Sequence, residues 1–408
     1  MSKTRKSSLT GFVLLAVVAL VATVFVGTAA AKTISIGELN SLTGVSAAPA
    51  ETLQKGFLLE AAALKVKGSS LKATVLDDKS DMSAAIAGVT QLIKQDKVSA
   101  VIGPFPQMVA TASRSIAEKN KTPEILYAPP TLANLKNKTY KWSFLCTAGP
   151  DGVADALLKA AKLMGYKKIV AIGDTIPVHQ ETLKIFKKWG SKFGIKFDIL
   201  SDTWDLSATD VSPIVTKIAA AAHADNPDAL FILSNPIHVP AIQKGLKAQG
   251  ITTPVVGSAA GTSPAIFLQG PQAVEGFMAI GTGITGPSQL PSNYPGKAAM
   301  LNFVKRYQAK YNSAPDFYAG FGYDAIHLLA YAMQKAGGAD KAKVQKALES
   351  IKNWKGTQGV FSYSKTDHVG IHGGFDLWKV VNGQFKLVKV LNPNGLTMLT
   401  AAQVNAVK

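Results

Sequence analysis

From Thr33 onward, short β-branched runs alternate with stretches of helical apolar spacing, and nothing else in the chain constrains its fold as tightly. Strands separated by helix-length segments cannot pair through tight turns; they pair in parallel, with the helices covering both faces of the sheet. Thr33–Leu39 reads as the first strand, followed by a loop over Asn40–Ala50. Leu53, Phe57, Ala61 and Leu64 then recur at helical spacing. Leu71–Leu76 is a second strand, and Asp81 can cap a helix whose inner face is Ile86, Val89, Leu92 and Ile93. Val98–Ile102 is a third strand, stopped by Gly103-Pro104; a helix through Ile116 and a strand near Ile125–Tyr127 complete one wound unit.

A second unit starts at Gly149-Pro150, with Val153, Leu157, Ala161 and Met164 on one helix face. Lys168–Ile172 reads as a strand, then a helix through Ile185, Trp189 and Phe193, then a strand over Phe197–Thr203. Ser212-Pro213 offers a cap and a first-turn proline for a helix containing Ile214 and Ile218. Leu230–Leu233, a helix through Ile242 and Leu246, and Pro254–Val256 continue the alternation. After Gly276 the pattern turns helix-rich, with helices over Leu301–Tyr311, Phe321–Ala336 and Val344–Ile351. Val360 to Val390 alternates as strands around an Asn382-Gly383 hairpin turn. The expected fold class is therefore α/β with doubly wound parallel sheets, and 408 residues are too many for one ordinary core, so two lobes are expected.

The first residues bear on where such a protein works. Lys3, Arg5 and Lys6 precede an uncharged run, and Ala29-Ala30-Ala31 supplies the small-x-small pattern of a signal-peptidase site, with cleavage expected before Lys32. The apolar stretch from Gly11 to Gly27 is near the lower limit for a membrane span, so a retained anchor is the alternative. Residues 1–31 are read as a signal peptide and the protein as exported to the periplasm. The single cysteine, Cys146, lies in an apolar stretch and excludes an internal disulfide framework.

The net charge of +18 admits nucleic acid, an acidic surface or an anionic ligand as partner. Only Arg5, Arg114 and Arg306 are arginines, and the lysines are dispersed without interleaved aromatics. Phosphate and base-edge recognition favour the guanidinium fork, so nucleic acid is not expected. Hydrolase, nucleotide-binding and zinc-protease motifs are missing; Gly257-Ser258-Ala259-Ala260-Gly261 resembles a nucleophile loop, but its serine stands one position early. His368 and His372 have metal-ligand spacing but only Asp367 as a further ligand, and two histidines fix no metal site. No catalysis, cofactor or metal is expected.

Six segments in order carry a resemblance. They are Leu42-Thr43-Gly44, the run Asp77-Asp78-Lys79-Ser80-Asp81, and Gln95-Asp96-Lys97-Val98 leading to Val101-Ile102-Gly103-Pro104. Phe317-Tyr318 with Tyr323-Asp324-Ala325, Lys335-Ala336-Gly337, and Gly356-Thr357-Gln358-Gly359 follow. Together they resemble the leucine-binding group of periplasmic receptors, which serve branched-chain amino acid ABC importers. The resemblance implies the type 1 periplasmic binding fold: two doubly wound lobes joined by a three-crossing hinge, closing on a solute that a membrane permease then collects. It places lobe one at 32–149 plus 280–372 and lobe two at 150–279 plus 373–408. It further implies a monomer with a small-molecule solute and a membrane permease as partners, or, alternatively, a membrane-held ligand sensor.

Carried over by position, the group's carboxylate-holding serine falls nearest Gln107 in the loop Pro104-Phe105-Pro106-Gln107-Met108. The next loop, Ala128-Pro129-Pro130-Thr131-Leu132, loses one N–H donor at Pro130 and offers Thr131 only with a one-residue shift. An aromatic contact of lobe two falls on Val178 or His179, another on Asn235, and the acid that grips the ligand ammonium falls on Ala259. A buried ammonium without a counter-charge costs several kcal/mol. Gln107, Met108, Pro130, Thr131, His179, Asn235, Ala259 and Tyr318 are the resulting candidate ligand contacts. With Phe105 and Tyr127 they suit an apolar or aromatic body carrying a carboxylate or carbonyl head; an amino acid held in a rearranged pocket is the alternative.

Overall fold

The computed structural model describes residues 33–131 and 140–391, so the expected signal peptide and residues 392–408 of the expected second lobe lie outside the described residues. The first sheet comprises β1 (Thr33–Asn40), β2 (Lys65–Val66), β3 (Ser69–Asp77), β4 (Val101–Ile102), β5 (Glu124–Leu126) and β6 (Ser143–Leu145). Their order is β2-β3-β1-β4-β5-β6, parallel throughout except for the short β2–β3 pair. Helices α1 (Ala47–Ala63), α2 (Met82–Lys94) and α3 (Gln107–Lys119) connect them. Period-2 alternation divides β1 between two layers. Ile34 and Ile36 pack with Leu53 and Phe57 of α1, whereas Leu39 packs with Val89 and Leu92 of α2 and Val109 of α3. Burying each such side chain stabilises the lobe by about 1.5–3 kcal/mol.

The second sheet begins with β7 (Lys168–Gly173), β8 (Lys196–Ile199), β9 (Ala229–Leu233), β10 (Val255–Gly257) and β11 (Met278–Thr282). It is wound by α4 (Pro150–Met164), α5 (Pro177–Trp189), α6 (Ser212–Asp225) and α7 (Val239–Ala248). The chain then forms α8 (Lys297–Tyr311), α9 (Phe317–Ala336), α10 (Lys341–Glu349) and the small hairpin β12 (Trp354–Lys355) and β13 (Val360–Phe361). It ends in β14 (Phe375–Val381) and β15 (Gln384–Val390), which extend the second sheet antiparallel to β11, giving the order β15-β14-β11-β10-β9-β7-β8. Asn382 and Gly383 both have positive φ, as a two-residue hairpin turn requires. Helices α9 and α10 return to the first sheet, where Ile326, Leu329, Val344 and Leu348 join Ile36 and Phe57 in one core.

Helices α1 and α9 cross at backbone contact. A Cβ on Gly56 would lie 2.2 Å from the Ala319 carbonyl oxygen, and one on Gly322 would lie 2.2 Å from that of Leu53. These two glycines set how closely α9 approaches, and so where Phe317 and Tyr318 at its start are held.

Several local expectations are corrected. Ile86 is exposed and Ala85 takes the inner position of α2, because the buried stripe runs Ala85, Val89, Leu92, Ile93. Met164 is likewise exposed at the last turn of α4. Phe193 closes a 3-10 turn (Gly190–Phe193) rather than α5, and the strand expected to reach Thr203 ends at Ile199, at the sheet's edge. Ser212 lies inside α6 and makes no side-chain cap; its own N–H donates to Asp210 Oδ1 at 2.8 Å. Strands β6 and β11 were not anticipated, and the expected change of lobe between 279 and 280 falls within β11, which stays in the second sheet through Thr282.

Candidate ligand-binding cleft

In both sheets the parallel strands run in the order second-first-third-fourth-fifth, counted along the chain within each lobe. The loops leaving β1 and β4 therefore diverge to opposite faces, as do those leaving β7 and β9, and a crevice opens at the strands' carboxyl ends. The two crevices face each other across a cavity of about 360 Å3. Loops after β1, β4, β5 and β6 wall one side, and loops after β7, β9 and β10 wall the other, with the start of α9 beside them. Phe105, Tyr127, Tyr318, Phe321 and Phe375 give the wall its aromatic character. Phe105 meets Tyr318 edge-on, with ring centroids 5.7 Å apart.

Three helices begin at this wall without a capping side chain. Ser46 before α1, Pro106 before α3 and Ile176 before α5 all line the cavity, and none has a side-chain oxygen that accepts a first-turn N–H. Pro49 and Pro177 carry no N–H, and the N–H groups of Ala47 and His179 already donate to the Gly44 and Ile176 carbonyls, so what the three starts share toward an anion is the positive dipole end. No lysine or arginine among the described residues is on the wall. Arg114 is buried beneath the Tyr140 ring, 4.2 Å from its centroid, and Arg306 pairs with Glu60 at 2.6 Å, between α8 and α1.

In the second lobe a hydrogen-bonded relay reaches the cavity. His179, in the first turn of α5, has Nδ1 2.6 Å from Asp174 Oδ1 and Nε2 3.0 Å from Ser258 Oγ. Asp174 stands just past the end of β7 and is fully buried; it also accepts the N–H of Ile176 at 3.1 Å and of Asn235 at 2.7 Å. Such a carboxylate can only accept, so the imidazole Nδ1 carries a proton toward it. In the ring's neutral form Nε2 then accepts from the Ser258 hydroxyl. The order hydroxyl, imidazole, carboxylate is that of hydrolase triads; in a receptor the same order makes a hydroxyl whose polarity depends on the imidazole.

Of the expected contacts, Gln107, Met108, His179, Asn235, Ala259 and Tyr318 line the cavity, as do both Val178 and His179. Gln107 is buried and donates from Nε2 to Glu181 Oε2 at 3.5 Å across the lobes, while its Oε1 has no partner. Met108 is largely exposed at the mouth. Asn235 takes part through its backbone, and Ala259 presents only a methyl group at the start of a 3-10 turn. Pro130 and Thr131 are not on the wall: the loop after β5 contributes Ala128 and Pro129, and the Thr131 N–H is turned toward Thr111 Oγ1 of α3 at 3.4 Å. Sequence reasoning missed Asp174, Ser258 as a relay partner, and Asp205. Asp205 lies on the wall at the exposed rim, its carboxyl held below the usual range by the O–H and N–H of Ser207. The signal for Asp174 was its place after a strand ending in Gly173.

Behind the aromatic wall, Tyr127 donates to Glu38 Oε1 at 2.9 Å. Burial pushes the Glu38 carboxyl up to about 8, against the lowering effect of that hydrogen bond. His368 and His372 do not converge. His368 stacks on Phe144 in lobe one, with burial lowering its pKa. His372 lies 3.3 Å from Asp151 and 2.9 Å from Asp367. Among the described residues no group of three metal-capable side chains assembles, and no helix is long and apolar enough to cross a membrane.

The model of the family described as "Periplasmic binding protein" matches residues 33–384. A Leu/Ile/Val-binding protein homolog of Brucella suis is 27% identical over 362 residues, covering 85% of this chain and 91% of its own. The substrate-binding protein LivJ of Streptococcus pneumoniae, solved with isoleucine, superposes with a TM-score of 0.71 at 23% identity, covering 88% of this chain and 100% of its own. A solute-binding protein of an ABC transporter from Rhodopseudomonas palustris, solved with benzoate, gives 0.73 at 21% identity over 88% of this chain and 97% of its own. Fold, cleft and comparisons agree: the chain belongs to the periplasmic binding protein family.

Proposed function

We propose that this receptor captures an apolar or aromatic carboxylate between its lobes and delivers it to the membrane permease of an ABC importer, without catalysis. The observation that carries the reading is the chemistry of the cavity wall. An aromatic lining is ringed by three uncapped helix starts, and an alanine occupies the position expected to carry an acid. Dipole ends and neutral donors serve a carboxylate through charge-assisted hydrogen bonds of roughly 1.5–3 kcal/mol each, while the aromatic wall takes the apolar body. Support also comes from a neighbour of the same fold solved with benzoate.

A second reading has one observation in its favour. Asp205 at the rim is an acid within the cavity wall, and it could face the ammonium of an amino acid oriented with its head outward. Calorimetry against benzoate, phenylacetate and 4-methyl-2-oxopentanoate on one side, and leucine, isoleucine and valine on the other, separates the two. The carboxylates are expected to bind and the branched-chain amino acids to bind weakly or not at all. Tight leucine binding that Asp205→Asn abolishes, with no response to any deaminated acid, would establish the second reading instead.

A further inference from the structure

We propose that carboxylate capture in this cleft is coupled to the uptake of a proton by His179, so that Ser258 is a donor to the ligand only in the protonated state of the relay. The inference rests on the carboxylate reading of the ligand and adds to it a mechanism of recognition. With the imidazole neutral, Asp174 holds the proton on Nδ1, Nε2 accepts from the Ser258 hydroxyl, and the lone pairs of Oγ are what remains for the cavity. Lone pairs repel a carboxylate. When Nε2 gains a proton, it donates to Ser258 Oγ, the hydroxyl hydrogen is released, and the hydroxyl can donate to a ligand oxygen. The added positive charge is balanced by Asp174, which already accepts two backbone N–H groups and needs no rearrangement. An anion arriving within a few ångströms favours the charged imidazole, and the charged imidazole favours the anion; the two steps are one linkage.

The ionisable groups packed around His179 are otherwise engaged. Asp174 touches the ring, Glu181 lies on the same helix and is paired with Gln107, and Asp205 is held ionised by Ser207. Tyr318, facing from α9, has its phenol pushed up by burial and stays un-ionised. Among the described residues near the wall, Glu38 behind Tyr127 titrates at about 8, Asp376 beside Phe375 at about 7, and Asp78, joined through Ser41 to Phe105, at about 6; none of the three touches the His179 ring. His238, near Asp205, has both nitrogens engaged, Nδ1 accepting from Trp204 Nε1 at 3.1 Å and Nε2 donating to Ala208 O at 2.9 Å.

Calorimetric titration of the full-length mature protein at pH 8, in two buffers of different ionisation enthalpy, measures the protons taken up. The probe is the tightest binder among benzoate, phenylacetate and 4-methyl-2-oxopentanoate. Uptake approaching one proton per ligand is expected, with affinity weakening by up to about tenfold per pH unit as pH rises. His179→Gln should abolish the uptake and Ser258→Ala should weaken carboxylate binding, whereas Glu38→Gln should leave the uptake intact. Carboxylate binding with equal heats in both buffers overturns the coupling and leaves the carboxylate reading standing. Uptake lost in Glu38→Gln but kept in His179→Gln overturns the assignment to the relay. Failure of every carboxylate to bind overturns both readings together.

Discussion

At the scale of single residues, the cleft is defined by what position 259 lacks. A methyl group there, next to Ser258, gives this turn of the cavity wall no carboxylate of its own, since Asp174 lies behind His179 and off the wall. Ala259→Glu should restore one. Placed opposite a bound carboxylate it should weaken binding of the deaminated acids by at least tenfold, about 1.4 kcal/mol, and improve leucine binding, both read by calorimetry. Unchanged affinities for both classes would place the ligand away from this turn. The residues that line the cavity were only partly legible in sequence. Gln107, His179 and Ala259, placed by the positions the resemblance carries over, do stand on the cavity wall, each just past a strand. Asp174 and Ser258 were not legible, because their meeting depends on β7 and β10 flanking β9 in one sheet, 84 residues apart in the chain. Pro130 and Thr131 were over-read for the complementary reason: a backbone tie to Thr111 turns the loop away, and no spacing rule signals such a tie.

At the scale of elements, the crossing of α1 and α9 fixes Phe317 and Tyr318 against the cavity. Gly322→Ala forces a Cβ into the Leu53 carbonyl and the Phe57 N–H, at 2.2 and 2.5 Å, inside a helix pair with no free volume. Overpacking of this kind costs about 1–3 kcal/mol, and chemical denaturation should show a lower midpoint with an unchanged slope. Ligand affinity should fall as well, since α9 must move to relieve the clash. Where elements were misjudged, the cause is again tertiary. β6 and β11 are short, wholly buried strands of three and five residues, whose apolar runs carry no alternation to read. The His372 contact links the first turn of α4 to the segment before β14, and both of its nitrogens face carboxylates. Those partners raise its pKa to about 10 against the lowering effect of burial. A base with a raised folded pKa contributes stability in full below its unfolded value, near 6.5, and loses it as pH rises through the folded value. His372→Asn should therefore destabilise the protein at pH 6, by on the order of 0.5–1 kcal/mol given the solvent screening of a side chain 38% exposed. The gap from the parent should close by pH 10.

At the scale of the whole molecule, burial has raised a set of carboxyls: Glu38 to about 8, Glu124, Asp324 and Asp376 to about 7, and Asp78 to about 6. Each keeps its proton in the folded state at pH values where the unfolded chain has released it. The folded state then binds more protons, and stability falls as pH rises from about 4 to 8. His368 works the other way below about 6.5, as one group against five. Thermal unfolding should give a higher midpoint at pH 5.5 than at pH 8.5, and Glu38→Gln should reduce the difference by raising the value at pH 8.5. The same economy of fixed charge bears on how the lobes move. Among the described residues, two direct polar contacts across the cleft are long: Gln107 to Glu181 and Ser263 to Asp316, both at 3.5 Å. Hydrogen bonds of that length contribute little, so the balance between open and closed forms is left to the ligand, which shifts it by its differential affinity for the two. The proposed carboxylate, met by helix starts of one lobe and the His179–Ser258 pair of the other, would have such a preference if closure is what brings both sets within its reach. Small-angle scattering should show a smaller radius at saturating ligand than without it. In Ser258→Ala the compaction should need more ligand yet reach the same endpoint, since the variant weakens the grip of one lobe and leaves the hinge unchanged. A radius that stays constant at saturation in the parent protein would mean that ligand binding does not depend on closure, and the two-sided grip argued from the cleft would be wrong.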